Sequence, residues 1–160
     1  MSIGDHIESI AIDFDPSVIG YSNLLEMFWQ SHSPCSPAYK RQYMSAIFCH
    51  DEAQKQLAVE TKRQVAERFG MPVQTEIMDS MPFFLAEDYH QKYRLRRHGD
   101  LAAPLIEAYP DLRDFVDSTS ATRLNGYVGG YGAPADFDRE LPLLGLSERA
   151  QHILKTKIRR

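Results

Sequence analysis

Between Ile7 and Phe14 apolar and polar positions alternate, so that Glu8, Ile10, Ile12 and Phe14 share one face of an extended chain and Ser9, Ala11 and Asp13 share the other. A period of two predicts a strand, closed by the turn pair Asp15-Pro16. From Ser22 to Ser31 the period changes: Leu24, Leu25 and Phe28 follow helical spacing, with Ser22 available as the cap. The stretch "HSPCSPAYK" carries two prolines and no period, which reads as a loop, and "YMSAIF" reads as a second strand. Asp51 is placed to cap a long helix running to Phe69, with Leu57, Ala58, Val65 and Phe69 as its apolar stripe and Gly70 and Pro72 as its stop. "VQTEIM" follows as a third strand. Strand, helix, strand, helix, strand is the βαβ alternation of a mixed or parallel sheet covered by helices.

After Pro82 the character changes. "AEDYHQKYRLRR" has the composition of a polar helix, two short helices fit between Asp100 and Leu124, and Asn125-Gly126 is expected to end the second. "GYVGGYG" reads as a turn, and Ser147 as the cap of a basic terminal helix. There is no repeat, low-complexity tract or clear linker. One domain is expected, with residues 1–93 as an α/β part and 94–160 as a helical extension of it.

A length of 160 residues suffices for one real core. With 25% charged residues and a net charge of -4, the balance does not favour nucleic acid or an acidic membrane as partner. No apolar run approaches the roughly 20 residues of a spanning helix, and the N-terminus lacks a basic start and apolar stretch. The expected setting is a reducing one, the cytoplasm. Cys35 and Cys49 fit neither a disulfide framework nor a Cys-x-x-Cys zinc pattern. Histidines at 6, 32, 50, 90 and 98 lack paired ligand spacing, so no metal site is expected.

A carboxylate on an apolar strand face is costly to ionise, which makes Glu8 a candidate general acid; the alternative is a strand-end glutamate reaching water. Tyr43 opens the second strand and can offer a neutral phenol donor to a polarised oxygen, or it can be a core tyrosine with a satisfied hydroxyl. Glu87, Asp88, Tyr89, His90 and Tyr93 form either an acid/base cluster or a structural knot of hydrogen bonds. Cys35, between Pro34 and Pro37, is the more accessible thiol and the redox candidate of the pair, while Cys49 ends a buried strand. The glycines of "GYVGGYG" make no phosphate loop, since no strand precedes them and no Lys-Ser/Thr follows.

In their order and intervals, "GDHIESIAIDFDPSVIGYSNLLEMFW", "RQYMSAIFCHDEAQK", "TEIM" and "AEDYHQKY" resemble the A-type peptide methionine sulfoxide reductases over about residues 4 to 93. The resemblance implies an α+β fold, a two-layer ferredoxin-like α/β sandwich, with a helical C-terminal extension. It implies reduction of the S epimer of methionine sulfoxide, free or in proteins, with thioredoxin or another dithiol as reductant and no bound cofactor. In that chemistry a cysteine thiolate attacks the sulfoxide sulfur, a glutamate of a His-x-Glu motif protonates the oxygen, and a tyrosine hydrogen-bonds it. By motif these two residues fall on Glu8 of "HIE" and Tyr43 of "RQYMS".

Two departures stand beside these matches. The family nucleophile lies in a Gly-Cys-Phe-Trp-Gly stretch well before His-x-Glu, and the sequence contains none. The usual Gly-x-Asp-x-Gly-Thr-Gln-Tyr-Arg-Ser is shortened to "SPCSPAYKRQYMS", with the aspartate gone and Met44 in place of the arginine. The first expectation is therefore the C-terminal part of a reductase, its nucleophile upstream of Met1. The alternatives are a non-catalytic binding protein of the same fold, or Cys35 as a relocated nucleophile. Without a leading strand the sheet would have an open edge, through which self-association is expected.

Overall fold

A computed structural model of the chain describes residues 6–158. The chain divides into two compact units, Met1–Phe83 and Phe84–Arg160. Together they make a mixed, helix-rich α+β protein with a small parallel sheet, as the sequence led one to expect.

The first unit is a βαβ arrangement preceded by a helix. Helix α1 (Tyr21–Gln30) starts at Gly20 rather than at the expected Ser22; Asn23 Oδ1 accepts from Gly20 N at 3.3 Å and closes the first turn. Strand β1 (Ala46–Cys49) leads into α2 (Glu52–Phe69), and β2 (Glu76–Asp79) returns beside β1 in parallel, with Ile47 opposite Ile77. Parallel strands need a long crossover, and α2 supplies it. Asp51 caps α2 as anticipated, its side chain accepting from Gln54 N at 2.8 Å, and Gly70 ends it at φ 62°, a conformation that costs glycine nothing.

The apolar stripe read along α2 is only half right. Ala58 and Val65 are buried, whereas Leu57 and Phe69 are exposed. The inward face is completed by polar residues: Thr61 accepts from the Trp29 indole, and Lys62 reaches a main-chain carbonyl. The core of this unit is Leu25 and Trp29 of α1, Ile47 and Cys49 of β1, Ala58 and Val65 of α2, and Val73.

The predicted strand at Ile7–Phe14 is not one. No strand pairs with it among the described residues, and Ile10 and Ile12 are 84% and 55% exposed. Alternation marks two different faces, but a strand also needs a neighbour to take its main-chain hydrogen bonds. The third predicted strand is real but starts late, at Glu76, leaving Val73 and Thr75 as buried residues ahead of it.

The second unit is helical: α3 (Tyr93–Arg96), α4 (Gly99–Ala108), α5 (Leu112–Asp117), α6 (Thr119–Val128), α7 (Pro134–Glu140) and α8 (Glu148–Ile158). Leu95, Leu101, Phe115, Leu124 and Leu154 form the fully buried centre of its core. Three helices, not two, occupy 99–128, because Asp111 and Ser118 each cap a new one through side-chain bonds to following amides. Asn125-Gly126 does not end a helix. Asn125 Oδ1 accepts from Leu95 N at 3.0 Å, so the side chain is bound to α3 instead of its own backbone, and α6 runs on to Val128.

The single polar helix expected over 86–97 is broken at Lys92, whose φ is 51°. Gln91 Nε2 donates to Ala86 O and Arg96 Nε donates to Gln91 O, so side chains take carbonyls that a continuous helix would have used. Ser147 accepts from Ala150 N at the start of α8, in keeping with its expected capping role. No helix of the described residues is long and apolar enough to cross a membrane.

Glu140, at the end of α7, is the hub of this unit's polar contacts. It is ion-paired with Arg123 and accepts from Tyr127 Oη at 2.5 Å, with its side chain only 14% exposed. The Arg123 hydrogen bond holds the Glu140 carboxyl below its ordinary range, and burial pushes the Tyr127 phenol up to about 12. In the unfolded chain Glu140 protonates near the ordinary glutamate value of about 4.3. Its contribution to stability is therefore complete above that pH and is lost as pH falls through the lower folded value. Thermal unfolding followed from neutral to acid pH should show a steeper acid-side loss for the native sequence than for Glu140→Gln, which starts lower and depends less on pH.

Candidate active site

Asp15 turns the chain from the extended N-terminal segment toward α1. Its Oδ1 accepts from Ser17 N at 2.8 Å and Ser17 Oγ at 2.7 Å, and these bonds hold the carboxyl below its usual range. Beyond α1 and the proline loop, one helical turn at Arg41–Tyr43 brings Gln42 against the same segment. There Glu8 N donates to Gln42 O at 2.9 Å, and Gln42 Nε2 donates to Glu8 Oε1 at 2.6 Å.

This two-point clamp is what brings Glu8 to the residue beside Tyr43. Periodicity alone placed Glu8 on a buried face; instead it is exposed. The Tyr43 ring is 56% exposed, so it is not a core tyrosine. Chemically, the pair offers a carboxyl able to move a proton and a phenol able to donate to an oxygen, both open to a ligand.

The two thiols lie in contrasting surroundings. Cys49 is 3% exposed; burial pushes its thiol up, with a bond from the Tyr21 hydroxyl pulling partly the other way. Burial likewise raises the Tyr21 phenol. Cys35 is half-buried and lines a recess of about 300 Å³ with His32, Pro34, Phe69 and Met71. Of the two, Cys35 is the one a solute can reach.

The acidic, tyrosine-rich segment is not a knot. Tyr89 and Tyr93 are exposed, Glu87 stands 3.9 Å from His90, and the Tyr89 and His90 rings lie 4.2 Å apart. Among the described residues no three His, Cys, Asp or Glu side chains are grouped to hold a metal ion.

Sequence reasoning missed a polar network within the first unit. His32 Nδ1 faces Phe28 O at 2.8 Å, and its Nε2 faces Thr75 Oγ1 at 3.0 Å. A carbonyl only accepts, so a neutral His32 carries its proton on Nδ1 and Nε2 accepts from the Thr75 hydroxyl. Thr75 is fully buried, and its own carbonyl accepts from Lys62 Nζ at 2.6 Å. His32 thereby fixes the end of α1 and the wall of the Cys35 recess. Its only signal in the sequence was a histidine one helical turn after Phe28.

Residues 2–123 match the family model described as peptide methionine sulfoxide reductase, and residues 113–158 match the helical domain of selenoprotein methionine sulfoxide reductase A. A peptide methionine sulfoxide reductase of Drosophila melanogaster is 44% identical over 147 residues, 91% of this chain and 58% of that protein. The MsrA of Methanosarcina acetivorans is 41% identical over 95 residues, covering 55% of this chain and 50% of its own length. Peptide methionine sulfoxide reductase A5 of Arabidopsis thaliana is 34% identical over 136 residues, covering 79% and 52%. The chain thus spans roughly half the length of these relatives, at 50 to 58%.

Thr75→Val keeps the shape of the buried side chain and leaves His32 Nε2 without its donor. It should cost about 1–3 kcal/mol in urea unfolding; an unchanged midpoint would mean that the His32–Thr75 bond contributes nothing to the fold.

Proposed function

The chain belongs to the peptide methionine sulfoxide reductase family, and we propose that it serves the reduction of methionine S-sulfoxide, free or in proteins, by presenting the sulfoxide oxygen to Glu8 and Tyr43. The observation that carries this reading is the Gln42 clamp, which joins the His-x-Glu carboxylate to the turn bearing the tyrosine. Glu8 gives a proton to the sulfoxide oxygen, and the Tyr43 hydroxyl donates to it. Both make the sulfur more electrophilic.

The sequence has no Gly-Cys-Phe-Trp-Gly, so the attacking thiol is assigned to a source outside these 160 residues, a family-type cysteine or an added dithiol, with thioredoxin in the cytoplasm during oxidative stress as the reductant. One sulfur of the dithiol attacks the sulfoxide sulfur as its oxygen is protonated. The second sulfur then closes a disulfide, and oxygen leaves as water. The sulfoxide gains two electrons to become the thioether, and the two thiols supply them. Self-association accompanies this reading, because β1 and β2 each keep one edge unpaired among the described residues.

The test is turnover of methionine S-sulfoxide against its R epimer by the purified chain, with dithiothreitol as reductant. The expected result is S-selective turnover that falls by about a hundredfold in Glu8→Ala and survives in Cys35→Ser. Loss of turnover in Cys35→Ser would move the nucleophile onto Cys35. Absence of any S-selective turnover would sink the catalytic reading and leave a binding protein of the same fold.

A further inference from the structure

A second concave site lies wholly within the helical unit. A recess of about 560 Å³ opens between the start of α4, the end of α6 and the last turns of α8. Val128 and Ile153 give it apolar wall, while His98, His152, Thr156 and Lys157 bring polar groups to it.

Lys157 Nζ lies 3.1 Å from His98 Nδ1. An ammonium has donors only, so it must meet that nitrogen as a bare lone pair, and His98 is then neutral. Burial, Lys157 and Arg97 all act against a charge on His98, and only the Asp100 carboxylate acts for it. Yet Asp100 forms no ion pair with either residue. Among the described residues no carboxylate lies within 4.0 Å of Lys157, His98, His152 or Arg97. Two potential cations face each other beside a cavity, and among the described residues no carboxylate is bonded to either.

We propose that this recess binds a small organic anion, a carboxylate on an apolar body, with Lys157 and a protonated His98 gripping the carboxylate and Val128 and Ile153 covering the apolar part. An anion that takes both side chains as partners, in place of the Lys157–His98 contact, supplies a counter-charge. His98 then takes a proton from solvent, and both groups become donors in charge-assisted bonds. The apolar wall sets the ligand class, because a small inorganic anion would leave it uncovered. Thr156 Oγ1 donates to His152 O at 2.9 Å, and its remaining lone pairs favour a ligand that also carries an N–H. This site is independent of Glu8 and Tyr43.

N-acetyl-leucine, its neutral counterpart N-acetyl-leucinamide, and inorganic phosphate serve as probes, each titrated into the full chain while the His98 and His152 ring protons are followed by NMR. N-acetyl-leucine should shift both rings saturably and raise the pH at which His98 titrates, and the amide should do neither. Lys157→Gln should weaken binding by about tenfold or more, whereas Lys155→Gln, on the same helix but outside the recess, should leave it unchanged. No saturable shift, or an equal loss in the two lysine variants, overturns the site. Phosphate binding as tightly as N-acetyl-leucine overturns the assignment of an apolar ligand.

Discussion

Thr75 has no solvent-accessible surface, yet it is a polar residue at the entrance to a strand. Its hydroxyl can be buried only because His32 answers it, and its carbonyl only because Lys62 does. Those two bonds join the end of α1, the middle of α2 and the approach to β2. The rest of the first unit follows from this constraint. A purely apolar α2 would pack the same sheet but would leave the Thr75 carbonyl unmatched, so the helix carries Lys62 on its inward side, while Leu57 and Phe69 of the expected stripe stay exposed.

The same logic explains what could and could not be read from the sequence. Capping and stop signals at Asp51, Gly70 and Ser147 are local chemistry, and each was legible residue by residue. Alternation at Ile7–Phe14 was legible too, but its meaning was not: a ladder partner is a property of the whole sheet, and no window of eight residues contains it. Asn125-Gly126 failed for a related reason. Its turn preference is intrinsic, and a bond to Leu95, far away in sequence, overrode it.

The candidate site divides along similar lines. Residue identities at Glu8 and Tyr43 came from motif resemblance, and the pattern of the surrounding chain could not have supplied them. The clamp between them came from Gln42, whose side chain and carbonyl both bond Glu8 and which no pattern had singled out. The contrast between Cys35 and Cys49 was foreseen from proline loop against strand end, and their different burial agrees with it. His32 was passed over because a histidine's role depends on what stands at both ring nitrogens, and here one partner lies across the fold.

The parallel pairing of β1 with β2 has a consequence for the order of assembly. A hairpin can zip from its turn, but these strands meet only after the chain has closed a loop containing all of α2. Each helix of the second unit, by contrast, closes its main-chain hydrogen bonds within a few residues, and such local structure forms early. A newly made chain would thus hold its C-terminal helices before its sheet, although the ribosome delivers the sheet first. During that interval the apolar faces of "AIFC" and "EIMD" have no strand partner, and this is when the molecule is most exposed to aggregation.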